Sequence, residues 1–167
     1  MTLAYIGLGS NMSDREANLS QAVRLVSQIA PVLAASSLYL TEPEGYKDQP
    51  DFLNSVVCVD TDVTAAKLLH IMNGIEVQMG RERLFAGAPR VIDLDLLLFD
   101  EAIINQPGLE VPHPRLHLRA FVLVPMVEIA PDLVHPILHK TMKELLAGLT
   151  SDYRIDKWVG NKHKGSG

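Results

Sequence analysis

The first third of the chain carries two apolar patterns, one typical of a strand and the other of a helix. Residues 3–8 are largely apolar, which predicts a buried strand near the N-terminus. Between residues 19 and 29, apolar residues recur every three or four positions and therefore lie on one face of a predicted helix. Ser13 and Glu16 have the spacing of a capping box and mark the start of this helix, which Pro31 ends.

The middle third repeats the order of strand and helix. Residues 32–39 are rich in small and β-branched side chains and predict a second strand, and residues 41–50 contain two prolines and predict a loop. Residues 52–60 show the alternation of a third strand. A helix is predicted over 64–79, because its apolar residues share one face and Gly80 follows as an end signal.

The last third contains the most strand-like run of the chain, residues 91–99. A helix is predicted over 118–129, and Pro125 is expected to kink or split it. Thr141 and Glu144 again have the spacing of a capping box and predict a last short helix.

The order of these elements predicts the fold. Strand, helix, strand, strand, helix, strand is the order of the ferredoxin-like split β-α-β fold, an α+β fold with an antiparallel sheet and helices packed on it. The later elements would be appended to this sheet. At 167 residues the chain has the length of one domain, so residues 1–159 are predicted as a single domain and the small, polar residues 160–167 as a disordered tail.

The composition excludes several classes of protein. Fifteen basic and twenty acidic residues give a net charge of −5, and a nucleic-acid-binding protein needs a basic surface instead. No apolar stretch reaches the ~18–20 residues of a membrane span, and the N-terminus lacks the pattern of a signal peptide. The single cysteine, Cys58, suits a reducing compartment. We therefore expect a cytoplasmic protein that binds neither nucleic acid nor membranes.

The arginines are clustered within this acidic chain. Five of the eight lie between residues 81 and 119, and all seven lysines lie outside that segment. An arginine presents a planar set of donors that matches phosphate oxygens, so the cluster indicates a small anionic ligand. A set of solvated surface arginines is the alternative interpretation.

Asp93 and Asp95 are the strongest chemical signal in the sequence. Side chains alternate between the faces of a strand, so the two carboxylates point the same way while Leu94 points to the opposite, apolar face. Two adjacent carboxylates repel each other unless a cation lies between or beside them, and Mg²⁺ prefers such oxygen ligands. The alternative is a polar face that meets water or an arginine.

Basic residues flank the two aspartates in the sequence. Three precede them and three follow them: Arg81, Arg83, Arg90, His113, Arg115 and Arg119. Metal-binding carboxylates between cationic loops are what phosphoryl transfer requires, because metal ions bridge phosphate oxygens and arginines neutralise the charge that develops.

A second group of residues suggests a site for a flat ring. Phe52 and Asn54 lie close together in the third predicted strand, and a loop with Thr41 precedes them. An aromatic ring, an amide and a hydroxyl can stack on a heterocycle and form hydrogen bonds to its edge.

Six short motifs together resemble one known family. They are Gly9-Ser10-Asn11, Tyr39-x-Thr41-x-Pro43-x-Gly45, residues 48–54, Glu76 with Gly80-Arg81, Pro89-Arg90-x-x-Asp93-Leu94-Asp95, and Val111-Pro112-His113. Each motif is weak alone, but the six occur in order from about residue 3 to Trp158. On these residues the chain resembles the 6-hydroxymethyl-7,8-dihydropterin pyrophosphokinases of folate biosynthesis.

The resemblance implies a reaction and a set of site residues. ATP would transfer a pyrophosphoryl group to the hydroxymethyl group of the dihydropterin, with release of AMP, on a monomeric ferredoxin-like domain. Asp93 and Asp95 would hold two Mg²⁺ ions, and Arg81 and Arg90 would be catalytic residues of a mobile loop. The ATP site would comprise Asn73, Glu76, Arg83, His113 and Arg119. The pterin would contact Thr41, Pro43, Gly45, Phe52, Asn54 and Phe121.

The chain departs from the resembled family in two loops. Residues 84–88 contain neither the tryptophan nor the further arginine that the family often carries there, and Phe85 is the aromatic residue that could replace the tryptophan. Glu42 and Glu44 stand where less acidic residues are expected.

Two other classes of function stay open on the sequence alone. A ferredoxin-like domain can be a non-catalytic nucleotide or metabolite sensor. The pair of aspartates can also serve another magnesium-dependent nucleotidyltransferase or glycosyltransferase. AMP release that depends on hydroxymethyl-dihydropterin would distinguish the pyrophosphokinase from both.

Overall fold

The computed structural model describes residues 1–80, 85, 87–150 and 153–160. Two predicted site residues, Arg81 and Arg83, lie outside the described residues, and so do residues 161–167 of the predicted tail. No helix within the described ranges is long and apolar enough to cross a membrane.

Eight strands occur in the described ranges, and six of them form one antiparallel sheet. In chain order they are β1 (Thr2–Ser10), β2 (Val32–Ala35), β3 (Tyr39–Thr41), β4 (Phe52–Thr61), β5 (Asp93–Phe99), β6 (Ile104–Gln106), β7 (Leu109–Val111) and β8 (Ile155–Lys157). The order across the sheet is β5-β1-β4-β3-β8, β2 also pairs with β4, and β6 and β7 form a separate hairpin. The predicted α+β class with an antiparallel sheet is confirmed.

Helices cover both faces of this sheet. They are α1 (Arg15–Ser27), α2 (Ala65–Gln78), α3 (Ala120–Ile129) and α4 (Met142–Ala147). On one face α1 and α2 bury apolar side chains such as Leu19 and Met72 against Ile6 and Leu53 of the sheet. On the other face α3 and α4 form a second core against β1, β4 and β5. The appended elements therefore complete the burial of the sheet, which apolar strand residues on both faces require.

Helix α1 begins one residue later than the capping-box pattern predicted. Its N-cap is Asp14, whose Oδ1 accepts a hydrogen bond from the Ala17 N–H at 3.1 Å. Ser13 has a φ of 57°, in the left-handed region, whereas an N-cap residue adopts an extended backbone. The second box was correctly predicted, since Thr141 and Glu144 cap each other at the start of α4.

Three predicted boundaries were wrong. The strand predicted over 32–39 is divided into β2 and β3, because the Ser36 side chain accepts the Val56 N–H at 2.9 Å and takes the place of a strand partner. Strand β5 begins at Asp93, two residues later than predicted. The predicted helix over 118–129 is a 3₁₀ turn at Leu116–Leu118 followed by α3, which runs through Pro125.

Three short strands were missed. Hairpin β6–β7 turns at Gly108, whose φ of 79° suits the glycine of a Pro-Gly turn. Strand β8 adds to the sheet beside β3, and Arg154 Nη2 next to it donates to Asp51 Oδ2 at 2.6 Å. Each strand has only three residues, too few for an apolar period to be visible in the sequence.

Candidate active site

Two cavities meet beside strand β5. The first, of about 300 Å³, lies between the ends of β1, β4 and β5, the loop before β4 and the start of α3. It brings together nine predicted site residues: Thr41, Phe52, Asn54, Arg90, Asp93, Asp95, His113, Arg119 and Phe121. The second, of about 320 Å³, also has Asp95 and His113 in its lining. These two residues therefore stand at the junction of the cavities.

Asp93 and Asp95 face the first cavity from β5, while Leu94 points into the core as alternation predicts. Across the strand pair they lie opposite two glycines of β1, since Asp93 pairs with Gly9 and Asp95 with Gly7. With no side chain on either glycine, the floor of the cavity in front of the carboxylates stays open.

The two neighbouring arginines do not fully offset the burial and mutual repulsion of the two carboxylates. Burial and the neighbouring Asp93 raise the pKa of Asp95 to about 7, although Arg119 and Arg90 oppose this rise. Arg90 Nε lies 3.5 Å from Asp93 Oδ2. A divalent cation at this position would favour the ionised form of Asp95, so the donor set fits a hard metal ion.

Glu76 lies behind the two aspartates. Its side chain is 2% exposed, and its Oε2 accepts the Leu94 N–H at 2.8 Å, between the two aspartates in the strand. It lines neither cavity. The contact of Glu76 with ATP stays a prediction, and in this structure its side chain binds the backbone of β5. Asn73, the other predicted ATP residue on α2, is exposed and also lines neither cavity.

Arg90 is held in place by Asn11, a residue whose role the sequence did not reveal. Asn11 Oδ1 accepts the Arg90 N–H at 2.8 Å, and the Asn11 N–H donates to the Arg90 carbonyl at 3.1 Å. Asn11 Nδ2 donates to Gln49 Oε1 at 2.8 Å, and Gln49 Nε2 donates to the Gly87 carbonyl at 2.9 Å. Three loops therefore meet at one buried amide. The motif containing Asn11 was visible, but its partners are distant in sequence.

A threonine and an asparagine lie side by side at the bottom of the first cavity. Thr41 Oγ1 donates to Asn54 Oδ1 at 2.5 Å, and Asn54 Nδ2 donates to the Leu8 carbonyl at 3.4 Å. A Cβ atom at Gly9 would lie 2.7 Å from Asn54 Nδ2, so the glycine leaves the room that this amide occupies. Thr41 was predicted in a loop but is the last residue of β3, and Pro43 and Gly45 of the loop that follows do not line the cavity.

Each aromatic wall of the cavity carries an arginine. The Arg90 guanidinium carbon lies 4.9 Å from the ring centre of Phe52. The Arg119 guanidinium carbon lies 5.2 Å from the ring centre of Phe121. Cations over aromatic faces are favourable, so both rings help to orient the arginines toward the cavity.

His113 is a neutral hydrogen-bonding group at the junction. Burial, then Arg119 and Arg115, lower the pKa of His113 to about 4, so the imidazole is uncharged at neutral pH. Its Nδ1 accepts the Arg115 N–H at 3.1 Å, which leaves the proton on Nε2. The Nε2–H is therefore a donor.

The second cavity is apolar on one side and was not predicted. Leu69, Leu94, Leu96 and Leu109 line it together with Gln106, Gly108 and Glu110 of hairpin β6–β7. In the sequence these leucines look like any other core residues. The Pro-Gly pair at residues 107–108 is typical of a turn and could have indicated the hairpin that lines this cavity.

Comparison with known proteins places these features in one family. The family model of 7,8-dihydro-6-hydroxymethylpterin-pyrophosphokinase (HPPK) matches residues 5–131. A 2-amino-4-hydroxy-6-hydroxymethyldihydropteridine pyrophosphokinase of Methylorubrum extorquens is 45% identical over 151 residues, which cover 89% of this chain and 94% of that protein. The protein of the same name from Bacillus subtilis is 47% identical over 129 residues, or 76% of this chain and 77% of the relative.

Longer proteins contain a similar region. Folic acid synthesis protein fol1 of Schizosaccharomyces pombe is 40% identical over 151 residues, and the match spans 89% of this chain but about a fifth (21%) of that relative. The wild-type HPPK-DHPS of Plasmodium falciparum shares the fold, with a TM-score of 0.72 at 17% identity over 87% of this chain and 44% of that one. On the match to the family model and to the bacterial relatives, the chain belongs to the 7,8-dihydro-6-hydroxymethylpterin-pyrophosphokinase family.

Proposed function

We propose that the chain transfers the pyrophosphoryl group of ATP to the hydroxymethyl group of 6-hydroxymethyl-7,8-dihydropterin and releases AMP, a step of folate biosynthesis (EC 2.7.6.3). Family membership and the names of the bacterial relatives support this activity. They give no support to the two alternatives, a non-catalytic sensor or a transferase for other substrates.

The observation that carries the proposal is the junction of the two cavities at Asp95 and His113. The first cavity has the aromatic and amide groups that suit a pterin, and the second has the apolar lining that suits a nucleobase. If the base of ATP lies in the second cavity, its triphosphate would extend to the carboxylates at the junction. The hydroxymethyl oxygen would then bond to the β-phosphorus, the bond from that phosphorus to the AMP oxygen would break, and the hydroxyl proton would leave to solvent.

Within the first cavity, Phe52 and Phe121 enclose the pterin ring. Asn54 and Thr41 offer an amide and a hydroxyl to its polar edge, and both are already oriented by their mutual hydrogen bond. Pro43 and Gly45 shape the loop that follows Thr41. This arrangement supports stacking with edge recognition, the usual means of binding a flat heterocycle.

Asp93 and Asp95 would hold Mg²⁺, and we propose two ions. The open floor before them and the raised pKa of Asp95 support this assignment. Mg²⁺ held by these two carboxylates would supply positive charge that neutralises part of the charge of the phosphates.

The cationic residues complete the phosphate site. Arg119 and the Nε2–H of His113 would contact phosphate oxygens, and Arg90 would stabilise the transferring group. Arg81 and Arg83 remain predictions for the same loop and for ATP, since they lie outside the described residues. For Glu76, its contact with β5 favours a positioning role, because it orients the strand that carries both aspartates.

We also propose that residues 1–159 act as one domain and as a monomer in the cytoplasm. One sheet includes both β1 and β8, which supports the single domain. Sedimentation at micromolar concentration tests the monomer.

The activity is tested by measuring AMP and the pterin pyrophosphate after incubation with ATP, Mg²⁺ and hydroxymethyl-dihydropterin. The two products should form in equal amounts, and AMP should not form without the pterin. Omitting Mg²⁺ or replacing Asp95 by Asn should stop the reaction. Release of ADP instead of AMP, or AMP release without the pterin, would contradict the proposal.

A further inference from the structure

Glu44 connects the loop before β4 to two arginines near the start of α3. Its Oε1 accepts a hydrogen bond from Arg119 Nη2 at 2.8 Å, and its Oε2 lies 3.6 Å from Arg115 Nη2. Each oxygen of the carboxylate therefore faces one guanidinium group. Glu44 is one of the two acidic residues that set this chain apart from the expected loop sequence.

This ion pair lies inside the candidate active site. Glu44 and Arg119 both line the first cavity, together with His113 and Asp95 at its junction with the second. The Arg119 side chain is only 16% exposed, and within the described part of the chain its Nε has no hydrogen-bond partner. A largely buried arginine with a remaining donor is suited to an anion that offers more oxygens than one carboxylate.

We propose that Glu44 is an internal competitor of the ATP phosphates, which holds Arg119 and Arg115 before the nucleotide binds and is displaced by it. The inference rests on the proposed place of Arg119 in the ATP site. Carboxylate and phosphate oxygens use the same N–H donors of a guanidinium group, so binding of one weakens binding of the other. Glu44 therefore lowers the affinity for ATP.

The displacement also links the two substrates. Glu44 lies on the loop that follows Thr41 of β3 and also contains Pro43 and Gly45, and these three residues are the ones proposed to meet the pterin. While Glu44 is bound to Arg119, this loop is tied to the start of α3. Binding of the triphosphate releases that tie, so the loop proposed to meet the pterin loses its attachment to α3 when ATP binds.

Isothermal titration with α,β-methylene-ATP and Mg²⁺ tests the proposal, since this analogue cannot be cleaved between the α- and β-phosphorus atoms. Glu44 is 42% exposed, so the competition is expected to be moderate. We expect Glu44→Gln to lower the Kd about three- to tenfold. Glu42→Gln is the matched control: it removes the same charge from the same loop and cavity lining, and no arginine partner of Glu42 occurs in the described ranges. Its effect should stay below about twofold.

An unchanged or higher Kd for Glu44→Gln would overturn the proposal, as would equal effects of the two variants, which would indicate a general charge effect. Arg119→Ala provides the second arm. It should raise the Kd, and in its background Glu44→Gln should have a smaller effect than in the wild type. If Arg119→Ala left the Kd unchanged, the proposed ATP site would be wrong and this inference with it. Weakening by Arg119→Ala without any effect of Glu44→Gln would overturn the inference alone.

Discussion

The two walls of the first cavity have the same composition but hold their arginines differently. Each wall consists of an arginine, an aromatic ring under it and a carboxylate beside it: Arg90, Phe52 and Asp93 on one wall, Arg119, Phe121 and Glu44 on the other. Asp93 belongs to a paired strand, whereas Glu44 belongs to an exposed loop. The same three groups therefore hold one arginine beside a paired strand and the other beside an exposed loop.

The backbone strengthens this difference. Arg90 is bound through its own N–H and carbonyl to Asn11, which is 1% exposed, so its backbone is held by a buried group of the chain itself. Arg119 relies on a side-chain partner that another anion can replace. A fixed arginine beside the metal-binding carboxylates suits the transition state, and an arginine with a replaceable partner suits ligand binding.

The largest loss of turnover is expected on substitution of Asp95, whose pKa both arginines lower. Asp95→Asn should lower turnover by about a thousandfold or more, because it removes negative charge that holds Mg²⁺ near the phosphates. The AMP assay measures the loss. A variant with near-normal turnover would remove Asp95 from the mechanism.

The same variant should make the Mg²⁺-free protein more stable at high pH. The folded-state pKa of about 7 lies above the ordinary value, so the folded protein binds the proton more tightly and loses stability as the pH rises from about 4 to 7. Asn cannot ionise, so the gain should be on the order of 2–4 kcal/mol above pH 7 and should vanish near pH 4. Urea unfolding at pH 8 and pH 4.5 checks this sign, and a gain of equal size at both values would contradict it.

The comparison of the two walls predicts different kinetic losses for their arginines. Arg90→Ala should lower kcat about a thousandfold with little change in the Kd for ATP. Arg119→Ala should mainly raise that Kd, by about tenfold to a hundredfold, as expected for a charge-assisted contact. Single-turnover kinetics with calorimetry separates the two quantities. If both variants changed kcat and Kd alike, the distinction between the walls would fail.

Substitution of Asn11, which binds the backbone of Arg90, should lower turnover less than substitution of Asp95 or of Arg90 itself. Asn11→Ala removes the acceptor of the Arg90 N–H and the donor to Gln49 Oε1, so Arg90 should lose its position but not its charge. We expect kcat to fall about tenfold and stability by about 2–3 kcal/mol, with the Kd for ATP nearly unchanged. Gln49→Ala, which leaves the Arg90 contact intact, is the matched control and should lower kcat less.

The smallest effect is expected for Phe85. Its ring makes an edge-to-face contact with Tyr46, with the ring centres 5.1 Å apart, and so joins the loop after α2 to the loop before β4. Such a pair contributes about 0.5–1.5 kcal/mol, and Phe85→Ala should therefore lower turnover about two- to tenfold. Phe85→Leu keeps the apolar bulk without the ring and should lose less. Full turnover in the alanine variant would show that this contact has no part in the reaction.

The sequence predicted the features that follow from local rules. The alternation of a strand places Asp93 and Asp95 on one face, and the capping pair Thr141 and Glu144 is local as well. At α1 the same local rule was wrong by one residue, because Ser13 adopts a left-handed backbone that the pattern does not encode.

The features that the sequence did not reveal depend on tertiary structure. Glu44 and Arg119 are 75 positions apart, and Asn11 and Arg90 are 79 apart, so neither contact has a local signal. The leucines of the second cavity have the same pattern as buried core residues. Only the packing of hairpin β6–β7 beside β5 leaves space between them.

A crystal structure with Mg²⁺, α,β-methylene-ATP and hydroxymethyl-dihydropterin tests the central claim most directly. The account predicts the adenine among the leucines of the second cavity, the pterin between Phe52 and Phe121, and the β-phosphorus near Asp95 as the phosphorus closest to the hydroxymethyl oxygen. It also predicts that phosphate oxygens have replaced Glu44 on Arg119. Both ligands in one cavity, or a triphosphate remote from Asp95, would contradict it.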